Sequence, residues 1–419
     1  MTTLTQPIQT EAKEPEAVQQ NRVVLFTILF LLSVFGGTVS TLMSVYLPVA
    51  VKDILGNKST EELNSISAYI SAVFIAGWAI GGFVWGVISD KIGRKKALLF
   101  STVCYGLATI ITGQMPQWQG LVVGRLLSGF GVGGVLVVSF TLMSEVWPAK
   151  SKAIFIGILS IAFPVGIFSA GLINYVVAGW RQGFYIGIVP IVLALLATLL
   201  LQESAVWQAH KNQASKSNQL QLLFSATHSR NLWMGAIIFG TMLIGLWAIF
   251  SWLPSWVQSL ITTGDAQKER GLSMMLLGMG GLSGGFLSGW FANAVGLRKA
   301  MLTCFASCAF LSFILFKTNT VFSPLIYAEI ALLALFFGAS QGILSAYIPP
   351  LFPTALRSTA TGFCFNVGRV FTASAVLFVG LLVNTLGGFG NALFIFSSVF
   401  FIGLLAVIFF KPASPGKIY

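Results

Sequence analysis

The sequence predicts an all-α membrane protein: twelve transmembrane helices arranged as two pseudo-symmetric six-helix bundles. Three observations carry that prediction. Apolar runs long enough to cross a bilayer recur along the chain, basic residues crowd one set of the loops between them, and the second half repeats the first at a nearly fixed offset.

The runs come first. The chain is 56% hydrophobic and only 9% charged, and about 20 apolar residues suffice to cross ~30 Å of hydrocarbon. Spans are expected near 23–50, 67–89, 97–115, 119–141, 153–176, 183–202, 233–257, 271–296, 300–316, 323–347, 358–384 and 388–410. The longest interior polar stretch, 203–232, separates six from six. The expected organisation is therefore a polar N-terminal tail (1–21), a first bundle (22–202), an interdomain loop (203–232), a second bundle (233–411) and a short tail (412–419). The 44 glycines and 36 phenylalanines suit such a protein, because small residues let membrane helices approach and aromatics fill the gaps.

Charge gives orientation. With both termini on one side, sixteen of the 24 Lys and Arg residues fall in the tails and loops of that side, six on the other and two inside spans. This bias places both termini in the cytoplasm, in the cell (inner) membrane. It also accounts for the net charge of +12 without nucleic acid as a partner. The four cysteines (Cys104, Cys304, Cys308, Cys364) lie in apolar runs and read as buried hydrophobes. His210 and His228 are the only histidines, so neither a metal site nor a cofactor is expected.

The repeat is visible by eye. "GWAIGGFVWGVISDKIGRKKA" (77–97) aligns with "GMGGLSGGFLSGWFANAVGLRKA" (278–300), pairing Gly81, Gly86, Gly93 and Lys96 with Gly284, Gly289, Gly296 and Lys299 at offset 203. "WPAKSKAIFIG" (147–157) matches "FPTALRSTATG" (352–362) at offset 205. Parallel six-helix repeats are an architecture of secondary transporters.

With these residues the chain resembles the major facilitator superfamily over essentially its full length. "GVISDKIGRKKAL" looks like that family's G-x-x-x-D-x-x-G-R-[RK] loop between helices 2 and 3. "GRLLSGFGVGGVLVVSFTLMSEVWPAKSKA", "GWRQGFYIGIVP", "FPTALRSTATGFCFNVGR" and "QESAVW" look like signatures of its sugar and organic-acid (metabolite:proton) symporter branches. The sequence departs from those branches too. Helix 1 has no acid, Val135 follows the helix 4 glycines, and Asn293 stands where the first repeat has Asp90.

The resemblance implies alternating access and a role for the first loop. Gly86, Asp90, Gly93, Arg94 and Lys95 form a candidate gating latch, in which Asp90 pairs with neighbouring bases in one conformation. Fixing topology alone is the other reading.

Ionisable groups within spans are candidate function sites, because a guanidinium at depth costs at least ~2.5 kcal/mol. Arg125 and Arg369 are the two basic residues there, and Glu329 is the intramembrane acid. An average offset of 204 makes Arg125 and Glu329 equivalent in the two halves. An ion pair is expected, either structural or linked to substrate and a coupling proton carried by Glu329. Gln341, Asn366 and Trp252 are further candidate substrate contacts, with helix packing as the alternative, and Trp247 joins Trp252 as a candidate cavity lining, with lipid-facing packing as the alternative.

The leading reading is a secondary transporter of a small hydrophilic solute, an organic anion on the strength of the two arginines, working as a monomer with a proton as candidate coupling ion. A neutral sugar or polyol carrier and a drug exporter are the alternatives within transport. No G-x-x-x-x-G-K-[ST] loop supplies ATP chemistry. A sensor would need an output domain, and an enzyme would need catalytic clusters that are not found.

Overall fold

In the computed structural model the described residues are 21–56, 58–148, 150–210, 224–262, 264, 266–353 and 356–410. They contain twelve helices long and apolar enough to cross a membrane. In the first half these are α1 (Arg22–Leu55), α2 (Thr60–Ile92), α3 (Arg94–Gln114), α4 (Trp118–Val146), α5 (Ile154–Val176) and α6 (Trp180–Leu200). In the second they are α7 (His228–Ser259), α8 (Gln267–Val295), α9 (Leu297–Thr318), α10 (Leu325–Leu351), α11 (Ala360–Leu382) and α12 (Phe389–Phe409).

Several helices extend past their apolar runs. α2 starts seven residues before the expected 67 because Ser59 caps it, accepting from the Glu62 amide, with Glu61 and Glu62 in the first turn. An acid there meets the positive end of the helix dipole. Asn21 does the same for α1, accepting from the Val23 and Val24 amides. The rest of the expected tails, 1–20 and 412–419, lies outside the described residues. So does 211–223 of the expected interdomain loop; ahead of that segment, Ala205–His210 is helical. α5 breaks at Ile161, three residues before Pro164, whose ring collides with the carbonyl of residue 160. α6 carries a 3₁₀ turn at Phe184–Gly187, again just before a proline, Pro190.

The internal repeat is a packing repeat. Gly77 and Gly81 of α2 lie against the carbonyls of Leu126 and Phe130 on α4. Gly280 and Gly284 of α8 lie in the same way against Ala331 and Leu335 on α10. A Cβ at any of the four would overlap a backbone oxygen, so each helix pair crosses at a distance only glycine allows. Gly93 and Gly296, at φ of 104° and 86°, turn the chain from α2 into α3 and from α8 into α9.

Between the halves, α2 packs on α11, α5 on α8 and α1 on α7. They close at the end away from Asp90. There Asn64 Nδ2 donates to Asn384 Oδ1 at 3.0 Å, and Gln267 Nε2 donates to the Asn174 carbonyl at 2.7 Å. The Gly171 and Gly271 backbones touch. Toward the Asp90 end the halves part: a Cβ added at Gly157, Gly289 or Gly362 would meet nothing within 4 Å.

Candidate functional site

Small polar residues at helical spacing build the central pocket. Ser40 and Ser44 stand one turn apart on α1, Ser71 and Phe74 share a face of α2, and Trp247 and Ser251 are one turn apart on α7. With Met43, Ile75 and Arg125 they line a cleft of about 230 Å³. Within it there is no room for a water-sized sphere, so this pocket is contracted.

Arg125 is its charge. The residue is 2% exposed. Its Nη1 donates to the Val39 carbonyl at 3.0 Å and its Nη2 to the Ser40 carbonyl at 3.2 Å. The guanidinium carbon lies 3.9 Å from the Phe74 ring centre. Its Nε is buried without a hydrogen-bond partner among the described residues. The guanidinium is thus held flat and aimed, with a donor to spare.

The expected Arg125–Glu329 pair is not formed. Glu329 sits one turn into α10, where its Oε2 accepts from Asn319 Nδ2 at 2.7 Å, and it does not line the pocket. The reason is register. Leu126 and Phe130 play the parts of Ala331 and Leu335, an offset of 205 rather than 204, so Arg125 corresponds to the buried Ile330. One residue on a helix turns a side chain by about 100°. Equivalence would not have produced contact in any case, since equivalent positions lie in separate halves.

Arg369 lies one ring away from the pocket. Its guanidinium stacks on Phe365 of its own helix at 3.9 Å and on Trp78 of α2 at 4.4 Å, which bridges the halves. Trp78 in turn meets the pocket residue Trp247 edge-on at 5.2 Å. Asn366 belongs to this crossing: its Nδ2 donates to the Gly362 carbonyl and its Oδ1 accepts a long bond, 3.5 Å, from Arg369. Gln341 lies outside the pocket lining, its Nε2 buried and unpartnered among the described residues.

Trp252 does not line the pocket either. Its indole donates to the Val376 carbonyl at 3.0 Å and joins α7 to α11. Trp247, five residues earlier, lines the pocket instead. The serines were missed by sequence reasoning, though their spacing of four residues within apolar runs was a readable signal.

The candidate latch is assembled. Arg94 pairs with Asp90 and with Glu145 at the end of α4, the latter at 3.0 Å. Glu203 caps α3, accepting from the Arg94 and Lys95 amides at 2.7 and 3.1 Å. The left-handed Gly93 leaves room for that carboxylate, which a Cβ would strike. Lys95 Nζ donates to the Thr198 carbonyl, Ser89 Oγ donates to the Gly86 carbonyl, and Trp207 Nε1 donates to the Asp90 carbonyl. All these partners lie in the first half or in the short helix after it. The cluster joins α2, α3, α4 and α6 to one another rather than to the second half.

Two six-helix halves around a polar pocket, closed at one end and parted at the other, define a membrane carrier. The chain belongs to the Major Facilitator Superfamily, whose profile matches residues 28–373. It is 27% identical over 367 residues to the cis,cis-muconate transport protein of Acinetobacter baylyi, covering 85% of this chain and 86% of that one. It is 24% identical over 384 residues to a niacin transporter of the same species, covering 84% and 86%. A crystal structure of a D-xylose-proton symporter superposes with a TM-score of 0.80 at 17% identity, covering 95% of this chain and 100% of that one. The transporter class expected from the sequence is borne out, and an enzyme is not indicated.

Proposed function

We propose that this transporter carries organic anions, holding a planar carboxylate in the pocket beneath Arg125 and releasing it by alternating access. One observation carries the reading: a buried arginine, unpaired by any carboxylate among the described residues, with its Nε still free to donate. A guanidinium so placed offers directional donors to a carboxylate. Phe74 and Trp247 supply apolar ring surface for a flat body, and the serine hydroxyls can serve its polar substituents. The printed names of two relatives support this, since muconate and niacin are both planar conjugated acids.

In this reading Arg369 is a second anionic contact reached as the pocket widens. The bias of basic residues puts the termini and the parted end in the cytoplasm, in the inner membrane, with the carrier facing inward as a monomer. In this reading Glu145 keeps Arg94 on the first half, and the exposed Asp90–Arg94 pair is made and broken in each cycle.

Ligand-induced thermal stabilisation of the purified protein tests the assignment. cis,cis-Muconate, benzoate and nicotinate should raise Tm, and xylose should not. Arg125→Gln should abolish the shift, and Arg369→Lys should weaken it by about tenfold in Kd, because lysine lacks the planar fork. Stabilisation by xylose but by none of the acids would sink the anion reading in favour of a sugar carrier.

A further inference from the structure

The pocket holds a cation, Arg125, that no carboxylate among the described residues neutralises. The carboxylates of the described residues are engaged elsewhere or stand at helix starts. Asp53 meets Arg181 and Trp180, Glu62 meets Lys58, and Asp90 and Glu145 meet Arg94. Glu203 caps α3, Glu329 takes the Asn319 amide, and Glu61 and Glu269 occupy the first turns of α2 and α8. No acid and no histidine lines the pocket.

Two consequences follow. First, a coupling proton has no acceptor among the lining residues, and arginine keeps its own proton throughout the physiological range. Second, Arg125 is dehydrated in this contracted pocket, where it meets two backbone carbonyls and one ring among the described residues. An empty carrier must pass through such a state with the charge unpaired, whereas a loaded one passes with it matched by a carboxylate. Breaking or omitting the partner of a buried charge is costly. Substrate therefore lowers the barrier to reorientation as well as filling the site.

We propose that the protein works as an anion exchanger, in which the loaded form reorients readily in both directions and the empty form slowly. Outward movement of one organic anion then drives inward movement of another, with no proton in the cycle. The proposal rests on the organic-anion reading above and adds the mode of transport to it.

The experiment uses the full chain in proteoliposomes preloaded with radiolabelled benzoate or cis,cis-muconate. Efflux is followed into plain buffer, into buffer containing the same unlabelled acid, and under an imposed pH gradient. External acid should accelerate efflux at least ~10-fold, and the pH gradient should leave the rate unchanged once protein-free liposomes are subtracted. Equal efflux with and without external acid, or accumulation driven by the pH gradient, overturns exchange but leaves anion transport standing. Failure to move either acid in any mode removes the anion reading and exchange with it.

A gain-of-function variant checks the cause. Ser44→Asp adds a carboxylate to the lining that holds Arg125. Internal pairing should bring the ratio of exchange to net efflux from ~10 or more toward one, with weaker affinity. A folded variant with the wild-type ratio would overturn the unpaired charge as the origin of exchange.

Discussion

The two halves use the same glycines to cross their helices and different chemistry to finish them. In the first half the turn after Gly93 carries Arg94 into a cluster with Asp90 and Glu145, while Glu203 holds the start of α3. In the second, Leu297 stands in the place of Arg94, and Arg298, the counterpart of Lys95, donates its Nη2 to the Val407 and Ile408 carbonyls at the end of α12 much as Lys95 donates its Nζ to the Thr198 carbonyl at the end of α6. Asn293 stands in the place of Asp90, and Pro350 in that of Glu145. What recurs between the halves is backbone approach, which steric fit dictates. What differs is charge, which the cluster at one end supplies to one half alone. Both halves thus tie the turn to a helix end through a basic side chain on backbone carbonyls, and the first half adds ion pairs.

The largest effect tests what the halves share. Gly81→Ala and Gly284→Ala each drive a methyl group into a backbone oxygen, and each should cost about 3 kcal/mol. Unfolding titrations in mixed micelles would show it. A large cost in one half with tolerance in the other breaks the equivalence of the two crossings.

A smaller, unequal pair tests where they part. Arg94→Ala strands the Glu145 carboxylate, whose side chain is 14% exposed, and should cost roughly 2–3 kcal/mol. Arg298→Ala removes bonds to two carbonyls in the last turn of α12 and strands no charge, and should cost about 1 kcal/mol. The same titrations measure both, and equal losses would mean that the carboxylates add nothing to the first half.

The smallest change in stability falls at Asp90. Its side chain is 71% exposed, so its pair with Arg94 is worth less than ~1 kcal/mol. Asp90→Asn should therefore fold normally and bind benzoate as the wild type does, yet transport more slowly if the pair is made and broken in each cycle. Wild-type transport by that variant would leave Asp90 with a topological role only.

Much of this architecture was legible in the sequence, because a bilayer forces long apolar runs and basic loops on any chain that crosses it repeatedly. The twelve spans and the glycine repeat follow from that. Helix ends were less legible: the first turns of α2 are polar, and a cap such as Ser59 carries no hydropathy signal. The depth of Arg125 could be read from its position in α4, but its partners could not. Averaging two offsets moved its counterpart from Ile330 to Glu329, and a single residue changes the face. Trp252 and Trp247 show the same limit. Five residues separate them, roughly 140° around a helix, so one joins α7 to α11 while the other meets the pocket.

The closed end has a property of its own. Asn64 with Asn384, Gln267 with the Asn174 carbonyl, and the Gly171–Gly271 backbone contact are all uncharged. Mobile ions screen interactions between charges and leave neutral amide contacts almost untouched. These contacts therefore hold equally well in dilute and in concentrated salt, so the seal at that end is indifferent to the ionic strength of the solution it meets.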